Sequence, residues 1–195
     1  GRFRLRDRPF GEEVSDDGSA RAIQGILVAS VAAPNAKVRA RCKRLAGEVV
    51  GFRTVHLRPR AHAVLGALAL GPDAPAAVVA MWTRLAAGLP QSGPSSEWPW
   101  PEERLTYANA LIPHALLAVA DRCSDRRLLD HGLMLLDWLL DVQTVDGHFS
   151  PVPVGGWGRG EPRRRFDQQP IEAWTTAEAC RCALGVTRDP RWLRG

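Results

Sequence analysis

Our interpretation of the fold starts from residues 15–52, SDDGSARAIQGILVASVAAPNAKVRARCKRLAGEVVGF. Ser15, Asp16 or Asp17 can cap a helix, and the apolar residues that follow them recur at helical spacing. Pro34 and Asn35 interrupt that pattern, and a second helical stretch begins directly after them. Two helices that are joined by so short a turn lie antiparallel. The stretch therefore predicts a helical hairpin.

The same order of helical stretch, short turn and helical stretch recurs along the chain, with no convincing period-two alternation typical of strands. The later members are RPRAHAVLGALAL (58–70) with APAAVVAMWTRLAAGL (74–89), PEERLTYANALIPHALLAVADRC (101–123) with RRLLDHGLMLLDWLLDVQ (126–143), and PIEAWTTAEACRCALG (170–185). Arg21 and Arg60 mark two first helices that start 39 positions apart, which indicates a repeat of about 40 residues. We predict an all-α fold, an array of antiparallel helical hairpins with about three and a half hairpins.

The connecting segments alternate in length, and this alternation predicts where a site lies. Short turns close each hairpin, whereas longer segments rich in aromatic and charged residues connect one hairpin to the next. Because the hairpins are antiparallel, the long segments fall at the same end of the array, where their residues can form one site. These segments are SDDGSAR (15–21), WPWPEERLTYAN (98–109), DGHFSP (146–151) and FDQQPIE (166–172).

The composition is that of a globular protein, with 45% hydrophobic and 24% charged residues. The formal net charge is +5, and Lys37 and Lys43 are the only lysines among 26 basic residues. An arginine-rich chain reflects either a GC-rich genome or a partner with phosphate or carboxylate groups. The arginines are scattered except in RGEPRRRF (159–166), and no nucleic-acid motif accompanies them. We expect no nucleic-acid partner.

The chain contains no unbroken apolar stretch long enough for a membrane span, and GRFRLRDRPF (1–10) lacks the apolar run of a signal peptide. We therefore expect a cytoplasmic protein with no membrane partner. We interpret residues 1–195 as a single domain and, because the last hairpin is incomplete, as a fragment of a longer chain. Hairpin edges without neighbours predict self-association.

The four cysteines, Cys42, Cys123, Cys180 and Cys182, form no C-x-x-C pair. Cys180 and Cys182 lie two positions apart in a predicted helix and so face different directions. We interpret the cysteines as free thiols in a reducing compartment and predict neither a metal site nor a cofactor.

The segment WPWPEERLTYAN combines the residue types that sugar recognition requires. Tryptophan faces stack on sugar rings, and carboxylates and amides bind hydroxyl groups. We predict that Trp98 and Trp100 are exposed and held in position by the neighbouring prolines. Glu102 and Glu103 are predicted in the first turn of a helix, where the helix dipole favours acids. Two carboxylates across such a site can also cleave a glycosidic bond.

The motifs SDDGSAR, WPWPEERLTYANALIPHALL, DGHFSP and FDQQPIEA together resemble bacterial all-helical proteins of the six-hairpin glycosidase-like, (α/α)-toroid superfamily. The resemblance is strongest to helical domains that accompany glycosyltransferases or are classed with them. It covers most of residues 12–193 and implies a partial (α/α) toroid with a role in carbohydrate metabolism. Ala108 departs from it, because the T-Y-x-N signature commonly has an aspartate at that position.

The resemblance and the residue chemistry give two sets of candidate residues. The catalytic candidates are Glu102, Glu103, Asp17, Asp167 and His148. The substrate-binding candidates are Trp98, Trp100, Tyr107, Asn109, Arg21, Gln168 and Gln169.

Each candidate also has a structural interpretation. The tryptophans can pack the loop onto the helices, the acids can cap helices or favour their dipoles, and His148 can be an ordinary loop residue. Two functions follow. The first is a carbohydrate-active helical domain that binds or processes a glycoside, glycosidase-like or associated with a glycosyltransferase. The alternative is a non-catalytic helical-hairpin scaffold that binds another protein along its concave face.

Overall fold

The computed structural model describes residues 4–5, 8–9, 15–90, 95 and 97–193. Seven α-helices lie within these residues: α1 (Asp16–Ala32), α2 (Ala36–Ala46), α3 (Leu57–Leu68), α4 (Ala76–Ala86), α5 (Leu111–Cys123), α6 (Arg126–Val142) and α7 (Pro170–Thr187). Short 3-10 turns follow α2 at Val49–Gly51 and α7 at Pro190–Leu193. The prediction of a mainly helical chain is confirmed.

The described strands are six two-residue segments in three antiparallel pairs. They are β1 (Arg4–Leu5) with β2 (Arg8–Pro9), β3 (Arg104–Leu105) with β6 (Trp157–Gly158), and β4 (Thr144–Val145) with β5 (His148–Phe149). Pairs of this length fasten loops together and do not form a sheet layer of their own.

Local capping explains why the helices begin where they do. The Ser15 side chain accepts a hydrogen bond from the Gly18 amide, and Asp125 accepts one from the Leu128 amide. Asn35 caps α2 by accepting bonds from two backbone amides of its first turn. Each cap satisfies amides that have no partner within the helix. The predicted turns at 33–35 and 124–125 are therefore confirmed.

The helices form two rows. In one row, which we call the inner row, α1 packs against α3, α3 against α5, and α5 against α7. The helices α2, α4 and α6 each pack on the preceding inner helix, as the second helix of a hairpin does. Gly66 of α3 allows the close approach to α1, because a Cβ there would lie 2.7 Å from the Gln24 Cα.

The core lies between the two rows. Leu27, Ile112 and Leu116 from the inner row are fully buried, as are Met81 and Leu135 from the outer helices. In the inner helix α3, Arg58, Pro59 and residues 61–67 are buried. Each fully buried side chain of this size contributes roughly 1.5–3 kcal/mol to folding.

The N-terminal ends of the inner helices meet at one end of the array. Thr54, just before α3, donates a hydrogen bond to Asp16 at the start of α1. Arg58 in the first turn of α3 contacts the segment that precedes α5, and that segment in turn contacts Glu172 in the first turn of α7. The prediction that the long segments gather at one end is supported by direct contacts that join all four of them, from Tyr107 to Asp17, from Asn109 to Glu172 and from Gln168 to Ser150.

Two predictions about the elements are wrong. The helix predicted from Pro101 begins at Leu111, so Glu102 and Glu103 do not occupy a first helical turn. The physical reason is that β3 pairs with β6 and that the φ of Ala108 is +47°, which breaks a right-handed helix.

The repeat of about 40 residues describes only the first interval. The inner helices start at Asp16, Leu57, Leu111 and Pro170, and their spacing grows because longer segments precede α5 and α7.

In the described part of the chain, none of the helices combines the length and apolarity that crossing a bilayer requires.

Candidate functional site

Tyr107 lies where α1 and α3 meet the segment before α5. Its hydroxyl donates to Asp17 Oδ1 at 3.0 Å, and Arg21 Nε donates to Asp17 Oδ2 at 2.7 Å. The Arg58 guanidinium lies 5.0 Å from the centre of the Tyr107 ring. Burial raises the pKa of Tyr107 above its ordinary value, and the hydrogen bond to Asp17 raises it further. The hydroxyl therefore stays protonated and fixes one carboxylate oxygen of Asp17.

Arg58 is only 5% exposed and ties the segment before α5 to α3. Its Nη1 lies 2.8 Å from both carboxylate oxygens of Glu102, and its Nη2 donates to Asn109 Oδ1 at 2.9 Å. Its Nε donates to the Tyr107 carbonyl. A buried guanidinium is stable only when its donors are satisfied, and these contacts meet that requirement.

Glu172 is a buried carboxylate that sequence reasoning missed. It is 1% exposed and accepts hydrogen bonds from the backbone amides of Ala108 and Asn109 and from Asn109 Nδ2. Burial raises the pKa of Glu172, while the hydrogen bonds from Asn109 and Ala108 act in the opposite direction. Its position in the first turn of a helix, just after Pro170, indicated an acid with a structural role. Its hydrogen-bond partners could not be predicted, because they lie more than 60 positions away in the sequence.

A cleft of about 630 Å³ opens beside these groups. Its polar lining includes Asp16, Asp17, Arg58, Glu102 and Tyr107. A second cleft, of about 590 Å³, shares Tyr107 and is lined by Arg21, Val154, Gln169, Pro170 and Ile171. We call the two together the Tyr107 clefts. Of the predicted site residues, the structure brings together Asp17, Arg21, Glu102, Tyr107 and Gln169.

Asn109 is a buried residue that holds the segment before α5 in place. It is fully buried and bridges Arg58 to Glu172, and its side-chain oxygen also accepts from the Thr106 amide. Its side chain therefore positions the segment and does not line either cleft.

The prediction that Trp98 and Trp100 are exposed is wrong. Trp98 is 6% exposed and Trp100 is fully buried. Trp138 of α6 lies 5.2 Å from Trp98 and 6.1 Å from Trp100 between ring centres, and Trp157 also contacts Trp98. These rings bury one another, so they offer no open face for a sugar to stack on.

The buried tryptophans nevertheless shape the clefts. Trp98 Nε1 donates to the Glu102 carbonyl at 2.8 Å, and Trp100 Nε1 donates to Glu102 Oε2 at 3.3 Å. Both rings therefore anchor Glu102, which the ion pair with Arg58 also orients.

The remaining candidates do not line the Tyr107 clefts. Glu103 is exposed, and His148 is exposed on β5, directly after the tight turn of Asp146 and Gly147. Asp167 lines a separate cleft of about 320 Å³ that includes Arg104, Arg164 and Phe166. Gln168 is exposed and donates to Ser150 Oγ at 3.1 Å.

Two histidines within helices, His62 and His114, are neutral structural residues. Burial, helped by the charge of Arg21, lowers the pKa of His62 to about 4, and His62 Nδ1 lies 2.6 Å from Gln24 Oε1. Burial also lowers the pKa of His114 to about 4.

Within the described residues, no group of three or more His, Cys, Asp or Glu side chains is arranged to hold a metal ion. Comparisons with protein-family models, with curated proteins and with solved structures found no match for this chain. The geometry of the clefts and the chemistry of their residues are therefore the basis for inferring a function.

Proposed function

We propose that this chain is a carbohydrate-active helical domain that binds a glycoside in the Tyr107 clefts. The observation that carries the proposal is the convergence of Asp17, Glu102 and Tyr107 on a cleft of about 630 Å³. Sites for small ligands commonly measure roughly 300–1,000 Å³ and use a few fixed polar groups to orient the ligand. Carboxylates held by arginine and tyrosine are fixed groups of this kind.

In this proposal, recognition depends on hydrogen bonds more than on stacking. The oxygens of Asp17 and Glu102 accept bonds from sugar hydroxyls, and Arg21 and Arg58 hold those oxygens in place. The Tyr107 ring already has two guanidinium groups near it, at 5.0 Å and 5.9 Å. Its hydroxyl orients Asp17, and Gln169 extends the set of polar groups on the other side.

The geometry supports binding more strongly than catalysis. Asp17 and Glu102 are the predicted catalytic acids that share one cleft, whereas Glu103 and Asp167 do not line it. Asp17 and Glu102 each pair with a guanidinium group. This pairing suits both carboxylates to the role of hydrogen-bond acceptors.

The family resemblance and the toroid are part of the proposal. An inner row with one outer helix per hairpin is the arrangement that an arc of an (α/α) toroid would have. Ala108 gives further support, because a φ of +47° is adopted more readily by aspartate or asparagine than by alanine. We propose that Ala108 replaces an aspartate in a toroid of the six-hairpin glycosidase-like type.

Calorimetric titration with a panel of neutral oligosaccharides tests the proposal. We expect saturable binding by the parent chain and roughly tenfold weaker binding by Tyr107→Phe and Asp17→Asn, since each loses a hydrogen bond to a charged group. Asp130→Asn is the matched control, because Asp130 pairs with Arg126 on the exposed surface of α6. If no sugar binds, or if all variants bind equally, the proposal is wrong.

The scaffold is the second candidate, and exposed apolar residues at both ends of the inner row favour it. Val31 of α1 is 45% exposed and Trp174 of α7 is 54% exposed. Under this proposal the chain binds a protein, or another copy of itself, through these faces. Light scattering on a concentration series tests it, and a strictly monomeric chain would count against self-association.

A further inference from the structure

Three arginines from different parts of the chain line one cleft. Arg53 precedes α3, Arg60 lies in the first turn of α3, and Arg84 lies in the last turn of α4. Their cleft measures about 470 Å³ and is completed by Asp16, Thr54, Val55 and Leu85. We call it the arginine cleft.

Backbone carbonyls hold two of these side chains in place. Arg53 Nη1 donates to the carbonyls of Gly51 and Phe52 at 2.8 and 3.1 Å. Arg84 Nη2 donates to the Phe52 carbonyl at 3.0 Å and to the Val50 carbonyl at 3.4 Å. Both guanidinium groups therefore donate to the Phe52 carbonyl, although Arg84 lies 32 positions further along the chain.

The position of the Arg60 guanidinium group depends on Gly88. A Cβ on Gly88 would overlap its guanidinium group, so the side chain occupies space that only glycine leaves free. Its Nη1 makes one long bond, 3.5 Å, to the Leu85 carbonyl, and its Nε is buried without a partner among the described residues. A buried N–H donor without an acceptor is costly, so the protein contacts of Arg60 satisfy its guanidinium group poorly.

The positive charges of the arginine cleft form no ion pairs with the described residues. Among the described residues, neither Arg53, Arg60 nor Arg84 has a carboxylate within ion-pair distance. Asp16, which lines the cleft, accepts a hydrogen bond from Thr54 Oγ1 at 2.6 Å. Loss of hydration, and second the like charge of Arg53, lower the pKa of Arg84. An anion in the cleft would relieve this repulsion.

We propose that the arginine cleft binds a phosphoryl group. Guanidinium groups match the oxygens of phosphate in geometry as well as in charge, and most N–H donors of these three arginines are not used by their contacts with backbone carbonyls. Asp16 and Val55 line both this cleft and the larger Tyr107 cleft, so one ligand can reach both. Building on the proposed function, the ligand is a phosphorylated glycoside, either a sugar phosphate or a nucleotide sugar.

Titration with inorganic phosphate tests the site apart from any sugar. We expect saturable binding by the parent chain and roughly tenfold or greater weakening in Arg60→Gln and Arg84→Gln. Gly88→Ala is the sharpest variant, because it keeps all three arginines and displaces only the Arg60 guanidinium. The φ of Gly88 lies outside the left-handed region, so alanine is compatible with its backbone. Far-ultraviolet circular dichroism checks that each variant is folded.

Arg127→Gln, on α6 and away from the cleft, is the matched control and should bind phosphate as the parent does. Absence of saturable binding, or equal binding by all variants, would overturn the site. Glucose 1-phosphate and UDP-glucose then serve as probes of the two ligand sources, and at least one should bind more tightly than phosphate. If neither does, the link to the glycoside is wrong, although the phosphate site stands. If neutral sugars fail to bind while phosphate binds, only the proposed function is wrong.

Discussion

Arg58 is the residue on which the geometry of the clefts depends most. It joins α3 to Asn109 through a buried hydrogen bond and to Glu102 and Tyr107 through partly buried ones. We expect Arg58→Ala to lower the free energy of unfolding by about 3–5 kcal/mol, because it leaves buried partners unpaired. Urea unfolding monitored by circular dichroism measures this change.

Arg126→Ala is the control for that measurement. Arg126 pairs with Asp130 on the surface, with side chains 80% and 55% exposed, so its loss should cost about 1 kcal/mol or less. Equal effects of the two substitutions would contradict the buried network around Arg58.

The buried histidines predict how stability depends on pH. The pKa values of His62 and His114 fall from 6.5 to about 4 on folding, so the unfolded chain binds more protons between these values. Their contribution to stability is present above pH 6.5 and is lost as the pH falls towards 4. We expect each to remove roughly 2 kcal/mol between about pH 7.5 and pH 5.

The comparison of the parent with His62→Gln isolates one of the two histidines from the other titrating groups. Urea unfolding at both pH values should give a drop in stability that is smaller by roughly 2 kcal/mol in the variant. An identical pH dependence in the two proteins would show that His62 is not neutral when folded.

At the scale of elements, the close contact between α1 and α3 makes a sharp prediction. In Gly66→Ala the new Cβ would meet the backbone of α1 at Gln24, so we expect a loss of about 1–3 kcal/mol. Gly25→Ala is the matched control, since Gly25 lies on the exposed face of α1 with no atom within 4 Å of the new Cβ. Because alanine favours helices, that change should stabilise the chain by up to about 1 kcal/mol.

Thermal unfolding of the two glycine variants compares them directly. Close packing of α1 on α3 requires that Gly66→Ala lowers the melting temperature and that Gly25→Ala raises it. If both substitutions raise it, α1 and α3 do not pack at the distance that Gly66 permits.

The elements also show what the sequence can and cannot predict. The helices α1, α2 and α6 were predictable because their caps, Ser15, Asn35 and Asp125, act within one turn. The start of α5 was not, because the segment before it bonds to β6 and to Glu172, which lie far away along the chain. A local pattern contains no information about such partners.

In the candidate site, too, some features were predictable from the sequence and others depend on distant partners. Asp17, Arg21 and Tyr107 were predictable because a shared array end brings helix N-termini and their preceding segments together. The burial of Trp98 and Trp100 was not, since it depends on Trp138 and Trp157 from later elements. Arg58 and Glu172 were missed for the same reason, as their roles depend on partners 44 or more positions away.

At the scale of the whole molecule, exposed apolar residues on α1 and α7 are the reason to expect self-association. Trp174 on α7 is 54% exposed, and exposed apolar residues of this size commonly mark interfaces. We expect the parent chain to self-associate as its concentration rises and Trp174→Lys to reduce this association. Light scattering coupled to size-exclusion chromatography measures the mass.

Phe166→Ser is the control for the Trp174 variant. It removes an exposed aromatic residue, 67% exposed, from a loop outside the helical rows, so it should leave the mass unchanged. Equal effects of both substitutions would indicate general hydrophobic association and not contact through α7.

The central claim is that the acids of the Tyr107 clefts bind a glycoside, and two adjacent residues test it most directly. Glu102 lines the cleft and is anchored by Arg58 and Trp100, whereas Glu103 is exposed and does not line it. The measurement is the calorimetric affinity of Glu102→Gln and Glu103→Gln for the oligosaccharide that the parent binds best. We predict roughly tenfold weaker binding for Glu102→Gln and unchanged binding for Glu103→Gln. Unchanged affinity in Glu102→Gln, or an equal loss in both variants, would contradict the account.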